Sequence, residues 1–156
     1  MWYCSVDLPD SWLSLFEGTE LEGKLHVSAL LATADEIGRP HLAFLSAGEI
    51  LARHPHRIGL ALWPKSQTTG NFRRVGYANL YGVADGAVWE ARLKLERDVT
   101  GEWAFFDTDV VDLKRHAASY ADVTALINFK LHDPGATVDR WRKQIAMLRE
   151  FTMNAT

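Results

Sequence analysis

What is scarce in these 156 residues narrows the field before anything else does. There is one cysteine, Cys4, so no disulfide framework can form within the chain, and a reducing cytoplasm is the expected compartment. Cys4 lies near a terminus with no visible activating neighbour, so it reads as a bystander rather than a nucleophile. No apolar run approaches the roughly 20 residues of a membrane helix. The first seven residues lack the basic and apolar regions of a signal peptide. Basic residues are the minority, 17 Lys and Arg against 20 Asp and Glu, for a net charge of -3 and a pI near 6.0. That balance argues against a nucleic acid or an anionic membrane as the main partner.

Several motifs are missing too. There is no G-x-G-x-x-G, no G-x-x-x-x-G-K-[ST] and no G-x-S-x-G. The six histidines (His26, His41, His54, His56, His116 and His132) form no H-E-x-x-H, and without a cysteine pair a metal site has little support. His54-x-His56 has chelating spacing, but it flanks the loop residue Pro55 and reads as exposed punctuation. Lys114-Arg115-His116 is too short a basic run for nucleic acid and reads as a solvated face.

What is present describes an ordinary globular chain, 47% hydrophobic and 24% charged, of a size that suits one domain over residues 1–156. Residues 9–16 read as a short helix capped by Asp10 or Ser11, with Trp12, Leu13 and Phe16 as its stripe and Gly18 to end it. Residues 25–34 and 41–46 read as two strands joined by a turn over 35–40, with Gly38 supplying the positive φ. Residues 47–55 fit either a helical turn or a strand.

Residues 58–63 form a third strand, with Ile58, Leu60 and Leu62 on one face and Gly59, Ala61 and Trp63 on the other. Residues 66–74 form a short helix. Residues 75–84 and 87–96 are a hairpin around Asp85-Gly86, and the second of these strands alternates between a buried and a wet face. Residues 99–101 are a break and 110–120 lean helical. Residues 126–131 look like a last strand closed by Asp133-Pro134-Gly135. Residues 138–153 give the clearest helix, with Val138, Trp141, Ile145 and Leu148 on one stripe. That stripe suits a core or dimer contact better than a cofactor box. The expected architecture is mainly β: a small antiparallel barrel spanning about 25–131, with a short N-terminal and a long C-terminal helix.

The stretch from Trp63 to Arg74 organises this plan. A strand ends at Pro64, and Lys65, Ser66, Thr68 and Thr69 precede or open a helix. Unpaired N–H groups and the positive dipole end make such a turn suitable for a phosphate. The same residues also suit a plain cap, with Ser66 or Thr68 on the helix and Lys65 in solvent. From local spacing alone both readings stand.

In order, Gly38-Arg39-Pro40-His41, the strand over 58–63, Lys65-Ser66-x-Thr68-x-x-Asn71 with its short helix, Arg73-Arg74 and the strand from Val75 resemble the flavin-binding split-barrel family related to pyridoxamine 5′-phosphate oxidase. The resemblance runs from about residue 25 to residue 84. It implies a six-stranded split barrel and a homodimer with one FMN per subunit at the interface. Lys65, Ser66 and Thr68 match the phosphate-binding turn, and Asn71 the polar position beyond it. Ala61, Leu62 and Trp63 match the strand end that runs beside the isoalloxazine, and Ser46 ends the strand before. On this reading the small Gly59 and Ala61 let the flat ring approach. Some relatives use a deazaflavin or bind haem instead. The arginine-rich C-terminal substrate segment of the true oxidases is missing here, so vitamin B6 oxidation is not expected. No catalytic acid or base is identifiable, and the chain is expected to be a flavoprotein of oxidoreductase type or a non-catalytic binding module.

Overall fold

The computed structural model of the chain describes residues 6–154, so Cys4 lies outside it. The elements are α1 (Asp10–Leu15), a 3-10 turn (Leu21–Lys24), β1 (Ser28–Ala34), β2 (Pro40–Ser46), β3 (Ile50–His54), β4 (Arg57–Leu62), α2 (Gln67–Val75), β5 (Tyr77–Ala84), β6 (Ala87–Thr100), β7 (Ala104–His116) and α3 (Pro134–Met153). No helix among the described residues is long and apolar enough to cross a membrane. All strand pairings are antiparallel, in the order β2-β1-β5-β6-β7-β4-β3.

This order forces the sheet to roll up. β2 and β3 are its two edges, yet only residues 47–49 connect them. Laid flat, seven strands would hold the edges about 29 Å apart, whereas a link of this length reaches roughly 14 Å. The edges therefore meet at that corner, and the sheet closes into a split barrel. Strict alternation of buried and half-exposed residues in β1 and β5 puts Leu31 and Leu80 inside. Phe72 of α2 enters the core and stacks on Phe106 of β7 at 5.1 Å between ring centroids. Trp141, Ile145 and Leu148 of α3 are buried in the same core, and α3 packs on β3 and β4.

Several expectations hold. Gly38 has φ 84° in the β1–β2 turn, and Asp85 and Gly86, at φ 56° and 74°, make the tight β5–β6 hairpin. α1 is present, with Pro9 rather than Asp10 or Ser11 at its N-cap. The residues 47–55 settle as a tight corner followed by β3.

Others do not hold. The break expected at 99–101 falls at 101–103, since β6 runs to Thr100. The sheet has seven strands, not six: residues 126–131 add none, residues 50–54 form β3, and most of the stretch leaning helical at 110–120 belongs to the long β7. There Val110 to His116 continue a thirteen-residue strand whose backbone groups pair with β6; tertiary pairing outweighs weak local preference. Residues 126–131 form no strand. Their contact with β1 meets a strand already paired on both sides by β2 and β5. Among the described residues they are tied by a bond from Ser28 Oγ to the Ile127 carbonyl (3.1 Å) and by Phe129 against Phe44. The barrel thus ends at residue 116 rather than near 131. Asp133 closes no strand; it caps α3 by accepting from the Ala136 N–H, with Pro134 in the first turn.

Candidate functional site

β4 ends at Leu62, and the chain turns through Trp63-Pro64-Lys65-Ser66 into α2. Ser66 is the N-cap: its Oγ accepts from the Thr69 N–H at 3.2 Å. Thr69, buried, donates its hydroxyl to the Trp63 carbonyl at 2.7 Å. This cross-brace sets the angle between strand end and helix. It was legible in principle, since Thr69 stands in the hydroxyl cluster, but the sequence gives no reason to prefer it over Thr68. The cap engages the Thr69 N–H and leaves those of Gln67 and Thr68 at the helix start. Lys65 is exposed, with no hydrogen bond or ion pair among the described residues. Thr68 is buried at 4% exposure.

Asn71 faces inward. Its Nδ2 donates to Thr33 Oγ1 of β1 at 3.1 Å, and its Oδ1 accepts from Arg74 at 3.4 Å. Arg74 also donates to the Ala34 carbonyl. Arg73 donates to Asp98 at 2.6 Å and lies over the Phe106 ring. Both arginines are thus committed to tying α2 to the barrel. Beside them, Asp35 accepts from the Arg39 side chain at 2.7 Å and from the N–H groups of Ile37 and Arg39. The Arg39 hydrogen bonds, side chain first, hold the Asp35 carboxyl below its ordinary value.

The remaining predicted residues gather at the end of β4. Ser46, buried, donates to Glu49 Oε1 at 2.6 Å. The Glu49 carbonyl accepts from the Ala61 N–H at 2.9 Å. Burial pushes the Glu49 carboxyl up, against the opposing pull of the Ser46 hydrogen bonds and the Arg140 charge. A cavity of about 30 Å³, large enough for one water, lies between Glu49, Ala61, Trp63, Trp103 and Gln144. Trp103 Nε1 and Gln144 Oε1 are buried without a protein partner. Sequence reading passed over Glu49, Trp103 and Gln144, because nothing local marks them as neighbours. Ala61 and Leu62 are buried, while Trp63 is 61% exposed.

The fit to a flavin phosphate is good at the turn and different from expectation along the strand. An exposed lysine directly before a helix start suits an anionic group. The small-residue face of β4, by contrast, is already covered. A Cβ on Gly59 would stand 3.1 Å from Leu148 and Thr152 of α3, so α3, not a flat ring, exploits that close approach. A ring beside this turn would meet the exposed Trp63 and the β4 backbone end instead.

No known family model matches the chain. The chain is 33% identical over 147 residues to the uncharacterised protein YclD of Bacillus subtilis, covering 91% of this chain and 96% of that one. Among solved structures it resembles a Lactobacillus delbrueckii protein named as a candidate pyridoxamine 5′-phosphate oxidase, with a TM-score of 0.53, 14% identity and coverage of 69% of this chain and 93% of that one. It also resembles an F420 reductase, with a TM-score of 0.52, 12% identity and coverage of 69% and 98%.

Proposed function

We propose, for a chain that belongs to the family of Bacillus subtilis YclD and folds as a split barrel of the pyridoxamine 5′-phosphate oxidase type, that it is an FMN-binding flavoprotein of oxidoreductase type. The observation that carries this reading is Lys65: an exposed ammonium without a partner among the described residues, directly before the Ser66-capped start of α2. FMN, when bound, supplies the hydride chemistry, and the protein supplies position and electrostatics. Lys65 pairs with the phosphate, and the open N–H groups of the first turn donate to it. Ser66 and Thr68 line the same turn, with Ser66 also holding the helix start in place. Trp63 shields the ring, and Asn71 keeps α2 fixed against β1. A homodimer with the cofactor at its interface is supported by the edge strand β2, where Leu42 and Phe44 stand 60% and 63% exposed.

The second reading is a non-catalytic module on the same barrel that holds a flavin, deazaflavin or haem. It is favoured by α3 covering the Gly59 face, which leaves less room along β4 for cofactor and substrate together. The visible spectrum of the purified protein tests both. A yellow protein that releases FMN on acid treatment supports the flavoprotein. A colourless protein unchanged by FMN titration overturns it. Reduction of bound flavin by NADH or NADPH, then reoxidation by an acceptor, supports the oxidoreductase; no turnover with any donor favours the binding module.

A further inference from the structure

At the hairpin end of β3 and β4, away from the phosphate turn, a cleft of about 430 Å³ opens in the barrel wall, within the size range of small-molecule sites. Its walls are cationic although the chain as a whole is acidic. Arg57 of β4 donates to Asp107 Oδ2 at 2.7 Å, and Arg97 Nε lies 3.5 Å from the same oxygen. Asp107 is buried at 2% exposure, so one enclosed carboxylate serves two guanidinium groups. Arg97 is held further by donating to the Phe151 carbonyl and by lying 4.1 Å over the Phe151 ring. Its Nε is buried without a hydrogen-bond partner. Arg53 lines the same cleft and has no hydrogen bond or ion pair among the described residues. His54 and His56 stack at its rim, 6.5 Å apart, with Asp7 3.7 Å from His56. Glu96, the remaining acid in the lining, pairs with Lys94 at 3.9 Å.

The backbone supplies a second, independent observation. The β3–β4 ladder shifts register between Ala52 and His54, and the β6–β7 ladder shifts between Leu95 and Arg97. The two residues left out of register, Arg53 and Glu96, both line this cleft. Bulges re-aim side chains, and they concentrate where a strand serves a site. Two guanidinium groups fixed by Asp107 and Phe151, with a third unengaged, form a pre-organised acceptor for a multiply charged oxyanion.

We propose that this cleft, through Arg53, Arg57 and Arg97, binds a small multivalent oxyanion, a phosphorylated or polycarboxylate metabolite, at a site separate from the α2 turn. The test is titration of the full-length protein at low ionic strength with pyrophosphate and, separately, with citrate, followed by amide chemical shifts and calorimetry with chloride as the control. Saturable binding is expected, with shifts centred on residues 53–57 and 97 and at least a tenfold loss of affinity in Arg53→Ala. Preference between the two probes identifies phosphate or carboxylate as the source. Arg53 is half-buried and unpaired, so the variant is expected to melt with the parent; if it does not, Arg53→Gln takes its place. The proposal is overturned if neither probe binds better than chloride. It is equally overturned if the shifts map to residues 65–69, or if binding survives Arg53→Ala and disappears in Lys65→Ala.

Discussion

Trp141 of α3 lies directly across Gly48, in the corner that joins the two sheet edges. A Cβ at residue 48 would fall 1.9 Å from Trp141 Cγ. The indole is buried at 1% exposure, so the helix docks by filling the space that glycine leaves open. Trp141 is thus core, and it locks the corner where the barrel closes. Gly48→Ala is expected to destabilise the fold by about 1–3 kcal/mol through overpacking. The check is the urea midpoint at unchanged m. In the double variant Gly48→Ala/Trp141→Leu the losses should be clearly less than additive, since the smaller side chain makes room for the methyl; full additivity would show that the two residues are not coupled.

Lys65 makes no contact that holds the barrel together. Lys65→Ala is expected to leave the melting temperature unchanged and to weaken FMN binding at least tenfold, about 1.4 kcal/mol. Fluorescence quenching of added FMN reads the affinity. Equal affinity in the variant would reduce Lys65 to a solvated loop charge.

Ser66 has two roles, and substitution separates them. Ser66→Ala should cost about 1 kcal/mol of stability as a lost N-cap, and Ser66→Gly only a few tenths. If both weaken FMN binding alike, the hydroxyl contributes to the phosphate directly. If affinity follows stability instead, it acts through the helix start.

Asn71 bridges α2 to Thr33 from a buried position. Asn71→Ala should destabilise by about 1–3 kcal/mol, because Thr33 and Arg74 lose a buried partner. Thermal or urea unfolding measures this, and a change near zero would place the bridge elsewhere. The contrast with Lys65→Ala separates a residue that positions the turn from one that meets the ligand.

Glu49 predicts a pH profile. Burial raises its carboxyl above the ordinary value of 4.5. A raised folded value means that the folded state binds the proton more tightly than the unfolded state does. Its contribution is therefore most favourable below about pH 4.5 and falls as pH rises through the folded value. Glu49→Gln removes this dependence while keeping an acceptor for Ser46. Urea unfolding between pH 4 and 8 should show the variant gaining on the parent with rising pH, and parallel profiles would refute the assignment.

Much of the local structure was legible because its causes are local. Gly38 and Asp85-Gly86 provide turn conformations that other residues adopt at a cost. The alternation of β6 and the stripe of α3 follow from side-chain periods of two and 3.6. A cap on α2 from Ser66 or Thr68 is legible locally, and the bond from the Thr69 N–H selects Ser66. Residues 126–131 misled for an instructive reason: a strand-like run shows that a strand is possible, but not that the chain is placed in register to pair with a neighbour.

By itself, then, the sequence determined a mainly β chain with these hairpins and a capped helix after β4, directly preceded by Lys65 and Ser66, since each depends on residues a few positions apart. Only the tertiary structure decided that α3 occupies the Gly59 face, that Asn71 belongs to Thr33, and that Arg53, Arg57 and Arg97 line one cleft with Asp107. Those outcomes depend on ladder register, on two bulges and on the rolling of the sheet. Arg57 and Asp107 are 50 positions apart, and no local period carries information over that distance; antiparallel pairing of β4 with β7 brings them together.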